Sequence, residues 1–150
     1  MVIASVLGTL VAFAMKGFSF FGRGTVNILV VLPIALPGVV TGVAFSNTYS
    51  NFLTPMGFNI GYFGMIVAHS TFCIVMVFNN VFARLRRMNP NLQEASADLG
   101  AGLWQTFRLV TFPQFRTSFA AGALLAFALS FDEVVVTIFT APPGVDTLPL

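Results

Sequence analysis

Sixty consecutive residues, from Gly24 to Ala83, contain no Asp, Glu, Lys or Arg. A helix that crosses the hydrocarbon core of a bilayer needs about 20 apolar residues, so this stretch has room for two crossings and a turn between them. The turn is predicted at Asn47 to Asn59, where the run NTYSNFLTPMGFN is polar and contains Pro and Gly. The charge-free stretch therefore predicts a membrane protein.

The composition excludes an ordinary soluble domain. Apolar residues make up 57% of the chain and charged residues only 8%, whereas soluble domains carry about 25% charged residues. We expect an all-α fold, a polytopic bundle of transmembrane helices that forms a single domain over residues 1–150. The expected surroundings are a lipid membrane, and no feature points to nucleic acid as a partner.

The placement of charge predicts the topology. Three predicted spans cover 1–15, 26–46 and 60–83, and a fourth begins at 117. The basic segment 16–25 lies between the first and second spans, and the basic segment 84–116 lies between the third and fourth. Two crossings return the chain to the side that it left, so all seven basic residues fall on one side, which is cytoplasmic by the positive-inside rule. The acids Asp132, Glu133 and Asp146 lie toward the outside.

The middle of the second predicted span has the sequence LPIALPGVVTG. This run contains Pro33, Pro37, Gly38 and Gly42. A proline inside a helix removes a backbone hydrogen bond and kinks the helix. The kink is interpreted either as a packing adjustment or as a bent helix that lines a transport pathway.

The basic segment 84–116 is long for a connection, which suggests a function of its own. Asn89 is a candidate cap for a short helix that has Pro90 in its first turn and ends at Gly100. On this helix one face is expected to carry Leu92, Ala95, Ser96 and Leu99, and another to carry Glu94 and Asp98. A second amphipathic piece runs from Leu103 to Phe112, and Pro113 is expected to break it. The segment is either a hairpin lying on the membrane surface or a docking helix for a partner.

The same residues resemble a motif of the permease subunits of binding-protein-dependent ABC importers. That motif is Glu-Ala-Ala, three residues, Gly, nine residues, then Ile-x-Leu-Pro, and this chain has matching residues at that spacing: Glu94, Ala95, Ser96, Gly100, Val110, Phe112 and Pro113. The resemblance implies the type I importer permease fold and a coupling helix that docks on a cytoplasmic ATP-binding subunit. The residues implied in coupling are Glu94, Ala95, Ser96, Asp98, Leu99, Gly100 and Pro113.

Two longer runs narrow the resemblance. VFARLRRMNPNLQEASADLGA and LSFDEVVVTIFTAPPGVDTLPL are similar to segments of polyamine (spermidine and putrescine) permeases. The resemblance implies a bacterial inner membrane location, a second permease subunit and a periplasmic substrate-binding protein. Such permeases have more spans than this chain, so we expect a fragment truncated at both ends. The alternatives are another small solute, or a secondary transporter or channel.

No catalytic, cofactor or metal-binding pattern is found. A phosphate-binding loop needs Gly-Lys-Ser/Thr after a glycine and four residues, but the only lysine, Lys16, is followed by Gly17. ATP hydrolysis is therefore expected in a partner, and the chain is not expected to be an enzyme. His69 is interpreted as a partner in an interhelical hydrogen bond rather than as a metal or proton site.

Asp132 and Glu133 interrupt a run that is otherwise apolar from Ser118 to Ala141. Carboxylates at membrane depth usually face the bundle interior or a cavity, where they would suit a cationic polyamine. Asp132 is preferred because its spacing from Gly122 and Ala128 places all three near one face of a continuous helix. In the alternative, the acids mark an interfacial helix end that faces water.

Overall fold

The computed structural model describes residues 1–18, 21–36, 38–57 and 62–141. Within these ranges the chain is helical, as the sequence predicts. The helices are α1 (Val2–Gly17), α2 (Arg23–Ala35), α3 (Gly38–Thr48), α4 (Tyr62–Arg86), α5 (Asn91–Asp98), α6 (Leu103–Thr106), α7 (Phe112–Asp132) and α8 (Val134–Thr140). A π-helical turn (Tyr49–Leu53) and a 3-10 turn (Thr54–Met56) extend α3, and a second π-helical turn (Phe107–Thr111) joins α6 to α7.

Helix α4 packs against both α1 and α7, and glycines allow the close approach. A Cβ built on Gly8 of α1 would lie 2.8 Å from the Ile74 carbonyl oxygen of α4, and one built on Gly122 of α7 would lie 3.1 Å from the Val77 Cα. Small residues at helix contacts are typical of membrane bundles, because association there depends on close packing. The buried core of this group contains Ala4, Ala12, Met15, Cys73, Val77, Phe78, Val81, Leu85, Met88, Phe115 and Ala126.

A second packing group lies toward the start of α4. Helix α3 packs against α8, and Ala68, Phe72 and Val136 form a buried cluster. A Cβ built on Gly42 would lie 2.8 Å from the Phe139 ring, so this glycine lets α3 approach α8. The α3–α8 pair thus lies beside the half of α4 that precedes Cys73.

The opposite end of the bundle collects basic residues. Lys16 lies in the last turn of α1, Arg23 begins α2, and Arg84 lies in the last turn of α4. Arg23 and Arg86 line one groove, and Arg84 Nε donates to the Gln114 carbonyl near the start of α7 at 2.8 Å. We call this the basic end.

One predicted span is confirmed and another is modified. Helix α4 agrees with the third predicted span. The helix that was expected to be kinked within 26–46 is instead interrupted, because Leu36 is extended (φ −89°, ψ 138°) between α2 and α3. Leu36 precedes a proline in the sequence, and the residue before proline is disfavoured in the helical region. Pro37, Asp146 and residues 58–59 of the predicted turn lie outside the described residues.

Length and hydropathy single out few spans among the described residues. Helix α4 is long and apolar enough to cross a bilayer, and Leu103–Asp132 with Val134–Thr140 would make a second span if that bent pair is one crossing. Helix α1 is apolar but shorter. The helix that contains the predicted fourth span begins at Phe112, before the span start expected at 117.

Candidate functional site

The docking helix predicted from the motif is α5, and its first turn is built by Asn89 and Pro90. The Asn91 backbone N–H donates to Asn89 Oδ1 at 3.0 Å, and the Gln93 N–H donates to the Pro90 carbonyl at 2.9 Å. Pro90 has φ −62°, the angle to which its ring restricts it. The predicted cap is confirmed, although the regular helix begins one residue later.

Gly100 ends α5 in a left-handed conformation with φ +80°. The Ala101 N–H donates to the Ser96 carbonyl at 3.1 Å, and the Gly100 N–H donates to the Ala97 carbonyl at 2.8 Å. These two bonds are the Schellman pattern of a helix end, in which glycine avoids the strain that a Cβ would cause. The helix stop predicted at Gly100 is therefore confirmed.

Two side-chain hydrogen bonds attach α5 to the helical arm that follows it, Leu103–Asp132. Ser96 Oγ lies 2.9 Å from Thr106 Oγ1, and Gln93 Nε2 donates to Thr111 Oγ1 at 3.1 Å. Ser96 was expected on one apolar face with Leu92, Ala95 and Leu99, but its side chain is half-buried against the arm. A helix of eight residues has limited stability alone, so these bonds help to fix its position.

The outward surface of α5 and α6 is exposed and partly apolar. Leu99 is 89% exposed, Leu103 94% and Trp104 69%, and no residue of α5 is buried. Exposed aromatic and aliphatic side chains near charged ones are typical of binding surfaces. We call this the coupling surface, and its members are Glu94, Ala95, Asp98, Leu99, Leu103 and Trp104.

The arm from Leu103 to Asp132 is one helical path, and Pro113 does not break it. In the π-helical turn the Phe112 N–H donates to the Phe107 carbonyl, five residues back. Pro113 then sits in the first turn of α7, where its missing N–H costs little. The predicted break at Pro113 is therefore wrong, and the α6 part of the coupling surface is connected to α7 without an intervening loop.

Aromatic rings hold the arm against α1. The Phe13 ring of α1 lies 5.4 Å from that of Phe115, with an edge-to-face angle of 74°, and 6.0 Å from that of Phe107. The Phe112 and Phe115 rings are also perpendicular, at 5.5 Å. Such pairs contribute about 0.5–1.5 kcal/mol beyond the area that they bury, so the arm and the bundle are expected to move together.

The two acids predicted in the pathway lie at a sharp bend. Helix α7 ends at Asp132, Glu133 has φ −80° and ψ 68°, and α8 then continues at an angle of 62°. Asp132 is exposed, whereas Glu133 is half-buried, and a Cβ built on Gly38 would lie 2.5 Å from Glu133 Oε1. Gly122, Ala128 and Asp132 all lie on α7, as the choice of Asp132 assumed. Gly122 is buried, however, whereas Ala128 and Asp132 are exposed.

His69 of α4 bridges the bend. Its Nδ1 lies 3.2 Å from Ser130 Oγ on α7, and its Nε2 lies 3.0 Å from Thr137 Oγ1 on α8. The predicted interhelical hydrogen bond is confirmed. These side chains also line a cavity of about 260 Å³ beside α4. Within the described ranges, no group of three or more His, Cys, Asp or Glu side chains is placed to hold a metal ion.

Sequence reasoning missed several of these polar contacts. Ser130 and Thr137 are seven residues apart, a spacing that places both on one helix face, but only the bend explains why one histidine reaches both. No sequence pattern predicted the hydrogen bonds of Gln93, Thr106 and Thr111. These bonds depend on how α5 folds back onto the arm.

Comparison with known proteins adds independent information. Residues 4–150 match the family described as "Binding-protein-dependent transport system inner membrane component". Putrescine transport system permease protein PotI of Escherichia coli (strain K12) is 32% identical over 150 residues, which cover 98% of this chain and 53% of PotI. Spermidine/putrescine transport system permease protein PotC of the same strain is 30% identical over 147 residues, covering 98% of this chain and 54% of PotC.

A relative whose name gives a different solute also matches. Sulfate transport system permease protein CysT of Escherichia coli (strain K12) is 31% identical over 144 residues, covering 91% of this chain and 52% of CysT. The chain therefore spans about half the length of the curated relatives that it matches.

Proposed function

Because the chain belongs to the family of binding-protein-dependent transport system inner membrane components, we propose that it is a permease subunit of an ATP-driven importer that moves polyamines across the bacterial inner membrane. Its partners are a cytoplasmic ATP-binding subunit, a second permease subunit and a periplasmic substrate-binding protein. The chain itself is non-catalytic, and ATP hydrolysis takes place in the partner.

The observation that carries this proposal is the coupling surface on a rigidly attached helix. Ser96 and Gln93 tie α5 to the arm, and the arm continues into α7 without a loop. A displacement of α5 by a partner is therefore transmitted to a helix of the bundle. Exposed Leu99, Leu103 and Trp104 supply the apolar area by which a partner can hold this surface.

The experiment is co-purification of the complete permease with its ATP-binding subunit, followed by measurement of ATP-driven uptake. Leu99→Ala should reduce both, because it removes an exposed side chain from the coupling surface. The matched control is Leu124→Ala on α7, which is 69% exposed, compared with 89% for Leu99, but lies away from the coupling surface. Equal retention of the ATP-binding subunit by both variants would reject the docking role.

The choice of a polyamine over another solute is supported by PotI and PotC and by the acidic pair at the bend. A carboxylate in a low-dielectric setting attracts a cation far more strongly than in water. The test is uptake of labelled putrescine, spermidine and sulfate by the assembled importer. Uptake of sulfate without uptake of polyamines would reject the polyamine assignment. It would favour sulfate, the solute in the name of CysT.

A multi-pass topology with the basic end in the cytoplasm completes the proposal. Single cysteines at Arg23, Asn51 and Asn91, in a background without Cys73, can be labelled with an impermeant thiol reagent. Only position 51 should react from outside, because position 23 is at the basic end and position 91 begins α5. Labelling of positions 23 and 91 with protection of 51 would reverse the topology.

A further inference from the structure

We propose that a groove at the basic end binds the phosphate headgroup of an anionic phospholipid. The groove has a volume of about 360 Å³ and lies where α1 ends, α2 begins and α4 ends. We call it the Arg23–Arg86 groove, and its lining residues are Met15, Arg23, Gly24, Asn27, Phe82 and Arg86. The coupling surface and the acidic bend contribute no residue to it.

The groove carries two guanidinium groups without a carboxylate among its lining residues. Arg23 is half-buried and Arg86 is exposed, and none of the described acids, which lie on α5 and at the bend, lines this groove. Guanidinium groups match the oxygens of a phosphate in paired, charge-assisted hydrogen bonds. The Asn27 side chain adds an amide donor, so the polar lining is suited to an anion.

Arg86 is held in place by an aromatic ring on the same helix. Its guanidinium carbon lies 5.7 Å from the centre of the Phe82 ring, and the Phe82 ring stacks on Phe78 at 5.2 Å. This contact restricts the arginine side chain. An arginine ordered in this way loses less entropy when it binds a phosphate.

Exposed apolar side chains that could contact acyl chains follow the groove residues along α2. Ile28, Leu29 and Leu32 of α2 follow Asn27 and are 65%, 58% and 45% exposed. Buried Met15 forms part of the groove's apolar lining. A soluble phosphate would use only the polar half, whereas a phospholipid would use the arginines for its headgroup and apolar side chains such as Met15 for its acyl chains. Basic pockets between helices on the cytoplasmic side are known to favour anionic headgroups.

The positive-inside rule alone does not require such a groove, because it concerns only the side on which basic residues lie. A second basic groove at the same end provides the comparison. It is lined by Asn79, Asn80, Ala83, Arg84, Arg87 and Ser118. There Arg84 Nε already donates to the Gln114 carbonyl, so one arginine is committed to the protein.

The experiment is a titration of phosphatidylglycerol onto the complete permease in detergent, without the ATP-binding subunit, read by native mass spectrometry. Arg23→Gln with Arg86→Gln should weaken binding about tenfold, which corresponds to about 1.4 kcal/mol. The matched control, Arg84→Gln with Arg87→Gln, removes the same charge from the second groove and should bind as the parent protein does. Equal loss in both double variants would show a general charge effect and overturn the proposal.

Two further measurements keep the result decisive. Gly24→Leu retains both arginines but fills the groove, and a Cβ at Gly24 meets nothing within 4 Å, so the fold should tolerate it while lipid binding falls. Unchanged lipid binding by this variant would place the lipid elsewhere. Glycerol phosphate should bind far more weakly than phosphatidylglycerol, and equal affinity would show a site for soluble anions instead.

Discussion

The Glu133 carboxylate occupies the space beside the first residue of α3, where a Cβ built on Gly38 would lie 2.5 Å from Glu133 Oε1. The contact brings a negative charge to the N-terminus of a helix, where the helix dipole favours it. Of the two adjacent acids, Glu133 is therefore the one that lies against another helix and is half-buried, while Asp132 is exposed.

The first prediction follows from this contact. Glu133→Gln should raise the polyamine concentration needed for half-maximal uptake more than Asp132→Asn does, because only the first variant removes a charge from a partly enclosed site. Uptake by the assembled importer is the measurement, and unchanged co-purification of the ATP-binding subunit is the control. A larger effect of Asp132→Asn would restore the assignment made from the sequence.

The end of α5 gives the second prediction. Gly100→Ala should impair ATP-driven uptake, because an L side chain at φ +80° costs about 1–2 kcal/mol. A Cβ there meets nothing within 4 Å, so the effect would come from the backbone alone. Gly102→Ala is the matched control, since Gly102 has φ −69°. Membrane insertion should be unchanged in both variants, and normal uptake by Gly100→Ala would speak against a rigid coupling helix.

The features that the sequence predicted correctly are local. Asn89, Pro90 and Gly100 specify the two ends of α5 through bonds within a few residues. The helix ends where the pattern places its end and begins within one residue of its predicted start. The break after Leu36 is local as well, but its severity was underestimated. Leu36 is extended and the helix is interrupted there instead of being kinked.

The features that were missed depend on distant parts of the chain. The bend at Glu133 has neither proline nor glycine nearby, so the run from Ser118 to Ala141 looks like an uninterrupted span. At the bend, Glu133 lies beside Gly38 and Ser130 bonds to His69. Both partners are distant in the sequence. At Pro113 the sequence predicted a break that the structure does not have. A π-helical turn just before this proline keeps the chain helical.

The third prediction concerns the contact between α1 and α4. Gly8→Val should lower the thermal stability of the permease in detergent, because the new Cβ would lie 2.8 Å from the Ile74 carbonyl oxygen, a backbone atom. Overpacking of this kind costs about 1–3 kcal/mol. Gly17→Val in the same helix should change stability much less, since a Cβ there meets nothing within 4 Å. Equal destabilisation would mean that α1 and α4 are not in close contact.

The fourth prediction concerns the proton on His69. Thr137 Oγ1 donates its only proton to the Glu133 carbonyl at 2.7 Å, so the bond of 3.0 Å to His69 Nε2 must be donated by the imidazole. In the neutral ring, Nδ1 then accepts from the Ser130 hydroxyl. The histidine therefore ties α7 to α8 with one bond on each side of the bend.

Loss of these bonds should loosen the bend. His69→Phe should lower thermal stability by about 1 kcal/mol, the range measured for interhelical hydrogen bonds in membranes, and His69→Gln should recover part of it by supplying a donor to Thr137. Spin labels at the exposed positions Ala120 and Ile138 report the bend directly. Straightening a bend of 62° between them would lengthen their separation by about 3 Å, for a rise of about 1.5 Å per residue. An unchanged distance distribution in His69→Phe would show that Glu133 and Gly38 hold the bend without the histidine, and a distribution that broadens toward longer distances would assign the constraint to His69.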